Sequence, residues 1–289
     1  MCQQQEGMAV KRTTSLIAAI SAVAGAAYGI TGGTAIATSP RASSSLPTIS
    51  ITMNQKTIEV SGTLVSGAVN IASTVTNERL GEPTLVRLNP GVSYAQAAAA
   101  IGQTPDPNAV TPYGSIVFNA LAPHGVSSAQ TALQPGNYFA LDTGNGRPPF
   151  PFTTFTITQA SAPASLPPAN ATQTAIDFAF RGPTVLHNRT IVRATNNGWL
   201  VHMIAGNGVP NAATGRNIIA LLRAGHDRQA QRLETRASFL LALPVSHGAV
   251  QQMTLNTSPG YYIETCPMNT QDGREQTQLG MLRLIRVIK

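Results

Sequence analysis

The chain has 289 residues, a length that suggests about two domains. Its hydrophobic fraction of 43% is ordinary for a globular protein, while charged residues are scarce at 11%. Abundant Gly, Pro, Ser and Thr with few aromatics suit an all-β exported protein with many turns. The net charge of +7 would allow an anionic partner, yet no nucleic-acid motif accompanies it, so nucleic acid is excluded as the expected partner.

Residues 1–37 read as an export signal. Met1 to Gly7 form an upstream extension, and Met8 is a plausible start. Lys11 and Arg12 supply a positive leading region, Ser15 to Ala37 is apolar or small throughout, and Ala35-Ile36-Ala37 offers a cleavage site. An uncleaved anchor is the competing reading, since such a stretch is long enough to span a bilayer. The Ala and Gly content makes it weakly hydrophobic, which favours cleavage. The mature protein is then expected to be secreted, periplasmic or held in the cell envelope, with no membrane span. Residues 38–46 form a flexible lead-in.

Residues 47–159 carry the marks of a first β domain. Ile49 to Met53, Ile58 to Val60, Val69 to Thr76, Leu85 to Leu88, Ser115 to Phe118, Gly136 to Leu141 and Phe152 to Ile157 are strand-prone. Ser93 followed by Gln96 fits a capping box, predicting a short helix over Tyr94 to Ile101 that stops at Gly102. Residues 160–171, ASAPASLPPANA, read as a linker. The second β domain covers 172–289. Its predicted strands are Phe178 to Phe180, Thr190 to Ala194, Leu200 to Ile204, Phe239 to Val245, Gln251 to Leu255, Tyr261 to Ile263 and Leu282 to Ile288. An amphipathic helix is predicted over Thr214 to Ala224, stopping at Gly225, with a polar helical turn from Asp227.

The two halves look alike. Asn77 and Asn197 lie 120 residues apart, and Pro135-Gly136 and Pro259-Gly260 lie 124 apart. LQPGNYFALD in the first half answers NTSPGYYIETC in the second. Self-similarity at a domain-sized period argues for two tandem Greek-key β-sandwiches built from antiparallel strands, each with a short helical insertion.

The last stretch, SPGYYIETCPMNTQDGREQTQLGMLRLIRVIK, carries the sharpest signal. A cysteine and a methionine flank one loop between two strands. Pro259, Gly260, Tyr262, Cys266 and Met281 match the copper-binding end of cupredoxins in identity and spacing. That family's pattern is a PG turn, a tyrosine, a cysteine, a loop, a histidine and a methionine. Asn197 to His202 resembles the segment carrying the family's first histidine, one residue short. The resemblance therefore implies a mononuclear copper site on His202, Cys266, Gln276 and Met281. Two imidazoles, a thiolate and a weak thioether make such a site, and soft sulfur ligands suit Cu(I). Gln276 departs from the pattern, standing where the second histidine belongs. In the first half Asp142 occupies the cysteine's place, so at most one half binds copper.

The implied function is electron transfer or copper handling, without enzymatic activity. The alternative is a metal-free structural or interaction protein on the same scaffold. No H-E-x-x-H, G-x-S-x-G or phosphate-loop pattern occurs, and five histidines are too few for a trinuclear copper cluster. With Cys2 upstream of the signal, the mature chain keeps Cys266 alone. An unpaired cysteine in an exported protein needs a metal, a reactive thiol or burial to account for it. His247 is the best substitute ligand, while His124, His187 and His226 read as solvated. Charge divides unequally: residues 38–169 carry five basic and five acidic groups, residues 170–289 twelve basic and six acidic. Arg216, Arg223, Arg228, Arg232 and Arg236 gather in the helical stretch, which points to an acidic redox or envelope protein as partner.

Overall fold

The computed structural model describes residues 45–289; the expected signal sequence and most of the lead-in lie outside them. The first half forms β1 (Thr48–Asn54), β2 (Thr57–Gly62), β3 (Gly67–Gly81), β4 (Pro83–Leu88), helix α1 (Tyr94–Ala100), β5 (Gly114–Asn119), β6 (Ala122–Leu133), β7 (Gly136–Asp142) and β8 (Phe152–Ile157). The second forms β9 (Ala171–Ile176), β10 (Ala179–Arg181), β11 (Val185–His187), β12 (Ile191–Asn196), β13 (His202–Val209), α2 (Ala212–Arg223), α3 (Asp227–Gln231), β14 (Ser238–Val245), β15 (Val250–Thr254), β16 (Gly260–Thr265) and β17 (Leu282–Ile288). The fold is all-β.

Three sheets result. One has eight strands in the order β10-β9-β12-β15-β6-β3-β1-β2, one has five (β11-β17-β16-β13-β14) and one has four (β5-β4-β7-β8). The eight-stranded sheet draws four strands from each half, and its halves meet where β15 pairs with β6 through Gln251↔Thr131 and Gln252↔Gln130. Each half thus faces its share of the large sheet with a sheet of its own. Most pairs are antiparallel as expected, but β1–β3, β9–β12 and β11–β17 run parallel. For the first of these the cause is visible in the chain path. The β1–β2 hairpin reverses the chain, so β3 returns in the direction of β1 and takes its free edge.

The core explains the sequence pattern of the small first-half sheet. Leu85, Tyr138 and Ala140 pack with Ile49, Ile51, Val69 and Ile71 of the large sheet. Their neighbours Val86, Phe139 and Leu141 face the other way, into a core shared with Val192, Ile204, Tyr262, Cys266 and Met281. A sheet covered on both faces reads as continuous apolar runs rather than alternation, as PTLVRL and YFAL do. The tyrosines after the two PG turns behave alike: the Tyr138 hydroxyl donates to the Gln134 carbonyl at 2.7 Å, and that of Tyr262 donates to the Ser258 carbonyl.

Helix α1 begins at the predicted capping box, with the Ser93 side chain accepting from the Gln96 amide and the Gln96 side chain accepting from the Ser93 amide. Helix α2 lays Gly215, Ile218 and Leu222 against Val209, Ile263 and Leu282 of the five-stranded sheet. Strand β6 goes unpredicted because APHGVSSAQTAL has little strand propensity; pairing on both sides, with β3 and β15, makes it a strand. Strand β13 runs on to Val209 through two glycines that obscure its pattern. Gly206 is required there, since a Cβ would lie 2.1 Å from the Phe239 ring.

One buried amide ties the halves together. Gln251 accepts from the Asn119 N–H at 3.3 Å and donates to the carbonyls of Asn119 at 3.1 Å and Leu241 at 2.8 Å. It thereby links the edges of β5 and β14. Gln251→Leu keeps the volume but strands these buried backbone groups. Unpaired groups cost about 1–3 kcal/mol each, so we expect a loss of about 2–4 kcal/mol. Urea denaturation should show a lower midpoint at an unchanged slope.

Candidate functional site

His202 opens β13, Cys266 directly follows β16, and Met281 directly precedes β17. Between Cys266 and Met281 the chain makes a loop closed at its base, where the Cys266 N–H donates to the Met281 carbonyl at 3.2 Å. Gln276 is fixed inside that loop: its N–H donates to the Met268 carbonyl at 2.8 Å and its carbonyl accepts from the Met281 N–H at 2.9 Å. All four side chains are buried, with His202, Cys266, Gln276 and Met281 each at 0% exposure.

Three of the four meet. Gln276 Oε1 lies 2.6 Å from His202 Nδ1 and 3.2 Å from Cys266 Sγ, whose thiol donates to it. Gln276 Nε2 donates to the Val201 carbonyl at 3.1 Å. His202 Nδ1 and Cys266 Sγ are 4.0 Å apart. The Met203 N–H donates to Cys266 Sγ at 3.3 Å. Met281 packs in the same core as Cys266 and Met268.

A fifth residue, not predicted from the sequence, completes the arrangement. Asp177 Oδ1 accepts from His202 Nε2 at 3.0 Å. The carboxylate also accepts from the backbone N–H groups of Trp199 at 3.1 Å and Leu200 at 3.2 Å. Burial alone would raise the Asp177 carboxyl, but these donors together hold it below the usual carboxylate range. Nothing in IDFAF marks the aspartate; the positive φ of 62° at Phe178 that sets the turn is invisible in the sequence. Gly198 makes the contact sterically feasible, because a Cβ there would lie 2.4 Å from His202 Nε2 and 2.5 Å from Asp177 Oδ1.

Enclosure pushes the His202 imidazole below its usual pKa, against the pull of its bonds to Asp177 and Gln276. Both ring nitrogens face oxygen atoms that accept. Hydrogen on both would satisfy every contact, and burial is what opposes that charge. A neutral ring leaves one lone pair pointing at an oxygen. Burial pushes the Cys266 thiol up to about 12, so it is a thiol rather than a thiolate.

The donor set can be tested against a metal. With bonds of about 2.0–2.3 Å, by analogy with zinc, two ligands in a trigonal plane stand roughly 3.5–3.8 Å apart. The sulfur-to-nitrogen separation of 4.0 Å is near that span. The nitrogen-to-oxygen separation of 2.6 Å is that of a hydrogen bond and is shorter than the trigonal span. As packed, Gln276 Oε1 is hydrogen-bonded to both His202 Nδ1 and the Cys266 thiol, and an amide oxygen in place of an imidazole suits copper poorly, so the residues as they stand do not fit the metal.

None of the other histidines hydrogen-bonds to His202, Cys266 or Gln276. His247 Nδ1 contacts the Gly198 carbonyl at 2.9 Å and its ring stacks on Trp199 with 5.1 Å between centroids. His124 and His187 contact backbone carbonyls of Glu78 and Lys289, and His226 caps α3 without a side-chain bond. The first half repeats one device with different chemistry: the Glu82 N–H donates to Asp142 Oδ1 at 2.9 Å, as the Met203 N–H donates to Cys266 Sγ.

No protein-family model matches the chain, and no curated protein matches it. Among solved structures, the dithionite-reduced auracyanin of the photosynthetic bacterium Roseiflexus castenholzii shares 12% identity over 41% of this chain and 95% of its own, with a TM-score of 0.26. The copper-containing nitrite reductase of Thermus scotoductus shares 11% identity over 84% of this chain and 68% of its own, also with a TM-score of 0.26. A multicopper oxidase shares 10% identity over 83% of this chain and 88% of its own, with a TM-score of 0.21. At such scores these likenesses say nothing of what this chain does.

Two outcomes are expected from the titrating groups. The Cys266 thiol should resist a disulfide reagent at pH 8 in native protein carrying Cys2→Ser, and should react at once in denaturant. Burial and the Asp142 charge push the Glu78 carboxyl up to about 7, and burial pushes that of Glu82 up to about 7. Each holds its proton more tightly in the fold than in the unfolded chain, where the value is 4.5. Their contribution to stability is full below pH 4.5 and is lost as pH rises through 7. The thermal midpoint should therefore fall between about pH 4.5 and 7.5 and level off above that. Glu78→Gln and Glu82→Gln should each flatten that fall.

Proposed function

We propose that this chain is an exported, non-enzymatic interaction protein on a cupredoxin-like scaffold, and that its copper-site end works without metal. The observation that carries this reading is the Gln276 amide, which bonds to His202, Cys266 and Val201 at once. An amide oxygen is a poor ligand for a soft metal. Here that oxygen is already engaged by His202 Nδ1 and the Cys266 thiol. The buried, protonated Cys266 thiol agrees with a hydrogen-bonding role.

A second reading, Cu(I) binding for copper handling, is favoured by one observation. Asp177 accepts from His202 Nε2, as outer carboxylates do for metal-bound imidazoles, and this turns Nδ1 toward Cys266. It requires the hydrogen bonds of His202 and Cys266 to Gln276 to give way to the ion.

Copper titrations decide between them. Wild-type protein should stay colourless with Cu(II) and should bind Cu(I) no more tightly than Cys266→Ser. An intense visible thiolate-to-copper(II) band in wild type, lost in Cys266→Ser, would sink the metal-free reading. Gln276→His supplies the missing imidazole and removes the bridging amide. It should create or greatly strengthen the band if the end is a lapsed copper site. A folded but colourless Gln276→His would mean that the scaffold alone is retained.

A further inference from the structure

The helical face of the second half presents a cationic surface without a partner. Arg216 and Arg223 on α2, Arg228 on α3, and Arg232 and Arg236 just after it are all exposed. The arginine–carboxylate ion pairs among the described residues are Arg274–Asp272 and Arg283–Glu264, so none of these five is paired with a described carboxylate. Arg216 and Arg223 are seven residues apart and share one flank of α2. The outward positions between and beside them are Ala213, Asn217, Ala220 and Ala224, short side chains that leave the face low and open to close approach. α2 contains no acidic residue. Across residues 212–236 the acidic groups are Asp227 and Glu234, both partly buried, and Glu234 is tied to Asn207 at 3.2 Å.

We propose that the α2–α3 face docks an acidic protein, gripping a carboxylate-rich surface or segment with this arginine cluster. The proposal rests on the interaction reading given above and names the partner's chemistry. The planar guanidinium fork matches carboxylates in paired geometry. A lipid surface fits less well. An interfacial helix must offer an apolar face to the bilayer, and that of α2 is spent on β13, β16 and β17. Single-stranded nucleic acid fits less well too, since residues 211–237 contain no Phe, Tyr or Trp on which a base could stack.

The test uses a fluorescein-labelled oligo-glutamate peptide, followed by anisotropy at low and at high salt, with the full chain. Arg216→Glu/Arg223→Glu and Arg228→Glu/Arg232→Glu should each bind about tenfold more weakly than wild type at low salt. Arg79→Glu/Arg147→Glu changes net charge equally at exposed sites of the first half and should bind as wild type does. Circular dichroism melts check that each variant is folded. Equal weakening by the control pair overturns the proposal, because net charge alone would then account for binding. So does an absence of peptide binding. Tighter binding of phosphatidylglycerol vesicles or duplex DNA than of the peptide overturns it in favour of that other anion. Failure here leaves the copper titrations of Gln276→His untouched, and a copper-binding wild type leaves this titration untouched, so the two readings fall separately.

Discussion

One side-chain amide holds the far end of the second sandwich together. Gln276 is carried on a loop, yet it reaches the carbonyl of Val201, the ring of His202 and the sulfur of Cys266. These groups belong to the start of β13 and the end of β16. Asp177 grips the same imidazole from the opposite side. A buried polar network stabilises only when its members are satisfied, and each missing partner costs more than a single bond contributes. Removing the amide would therefore leave the Val201 carbonyl, His202 Nδ1 and the Cys266 thiol hydrogen without this partner in a buried space. That is why Gln276, although a departure from the family pattern, is a structural centre.

The scaffold around it depends on sharing. The halves of the chain are joined by a short edge-to-edge pairing in the large sheet and by the Gln251 amide. The small first-half sheet completes the union by packing its second face against core residues of the second half. The site end is thereby built on strands anchored in a core that extends beyond their own sandwich. Rigid support of this kind suits a bonded network whose distances must be held closely.

Much of this was legible in the sequence, for physical reasons. The capping box at Ser93 and Gln96 is a local device and predicts its helix nearly to the residue. The alternation in β1 and the apolar runs of β4 and β7 follow from burial on one face or on two. The stretch from Pro259 to Met281 is written contiguously, so its strand–loop–strand form could be read directly. What could not be read depends on partners distant in the chain. Strand β6 exists because β3 and β15 flank it. The parallel pairs depend on which edge a returning strand finds. Asp177 joins the site through a turn whose backbone conformation has no sequence signature. The imidazole of His202 was legible as a candidate ligand, but its engagement on both sides needed the fold.

The cupredoxin pattern and the hydrogen-bonded knot raise the question of why the sulfur residues remain if no metal needs them. Burial offers a sufficient reason. Cys266 and Met281 are fully enclosed in the core that includes Ile204 and Tyr262. Cysteine and methionine both pack as apolar side chains there, and methionine adapts to irregular gaps. Replacing either by a polar residue would place an unsatisfied group in that core, and replacing either by alanine would leave a cavity. His202 is retained by a different constraint, its bridging position between Asp177 and Gln276. Each residue that matches the copper pattern thus has a packing or bonding role independent of copper. A matching pattern alone therefore cannot establish the metal. What the structure adds is that Gln276 Oε1 is hydrogen-bonded to both His202 Nδ1 and the Cys266 thiol, bonds that an ion held at this end would have to replace.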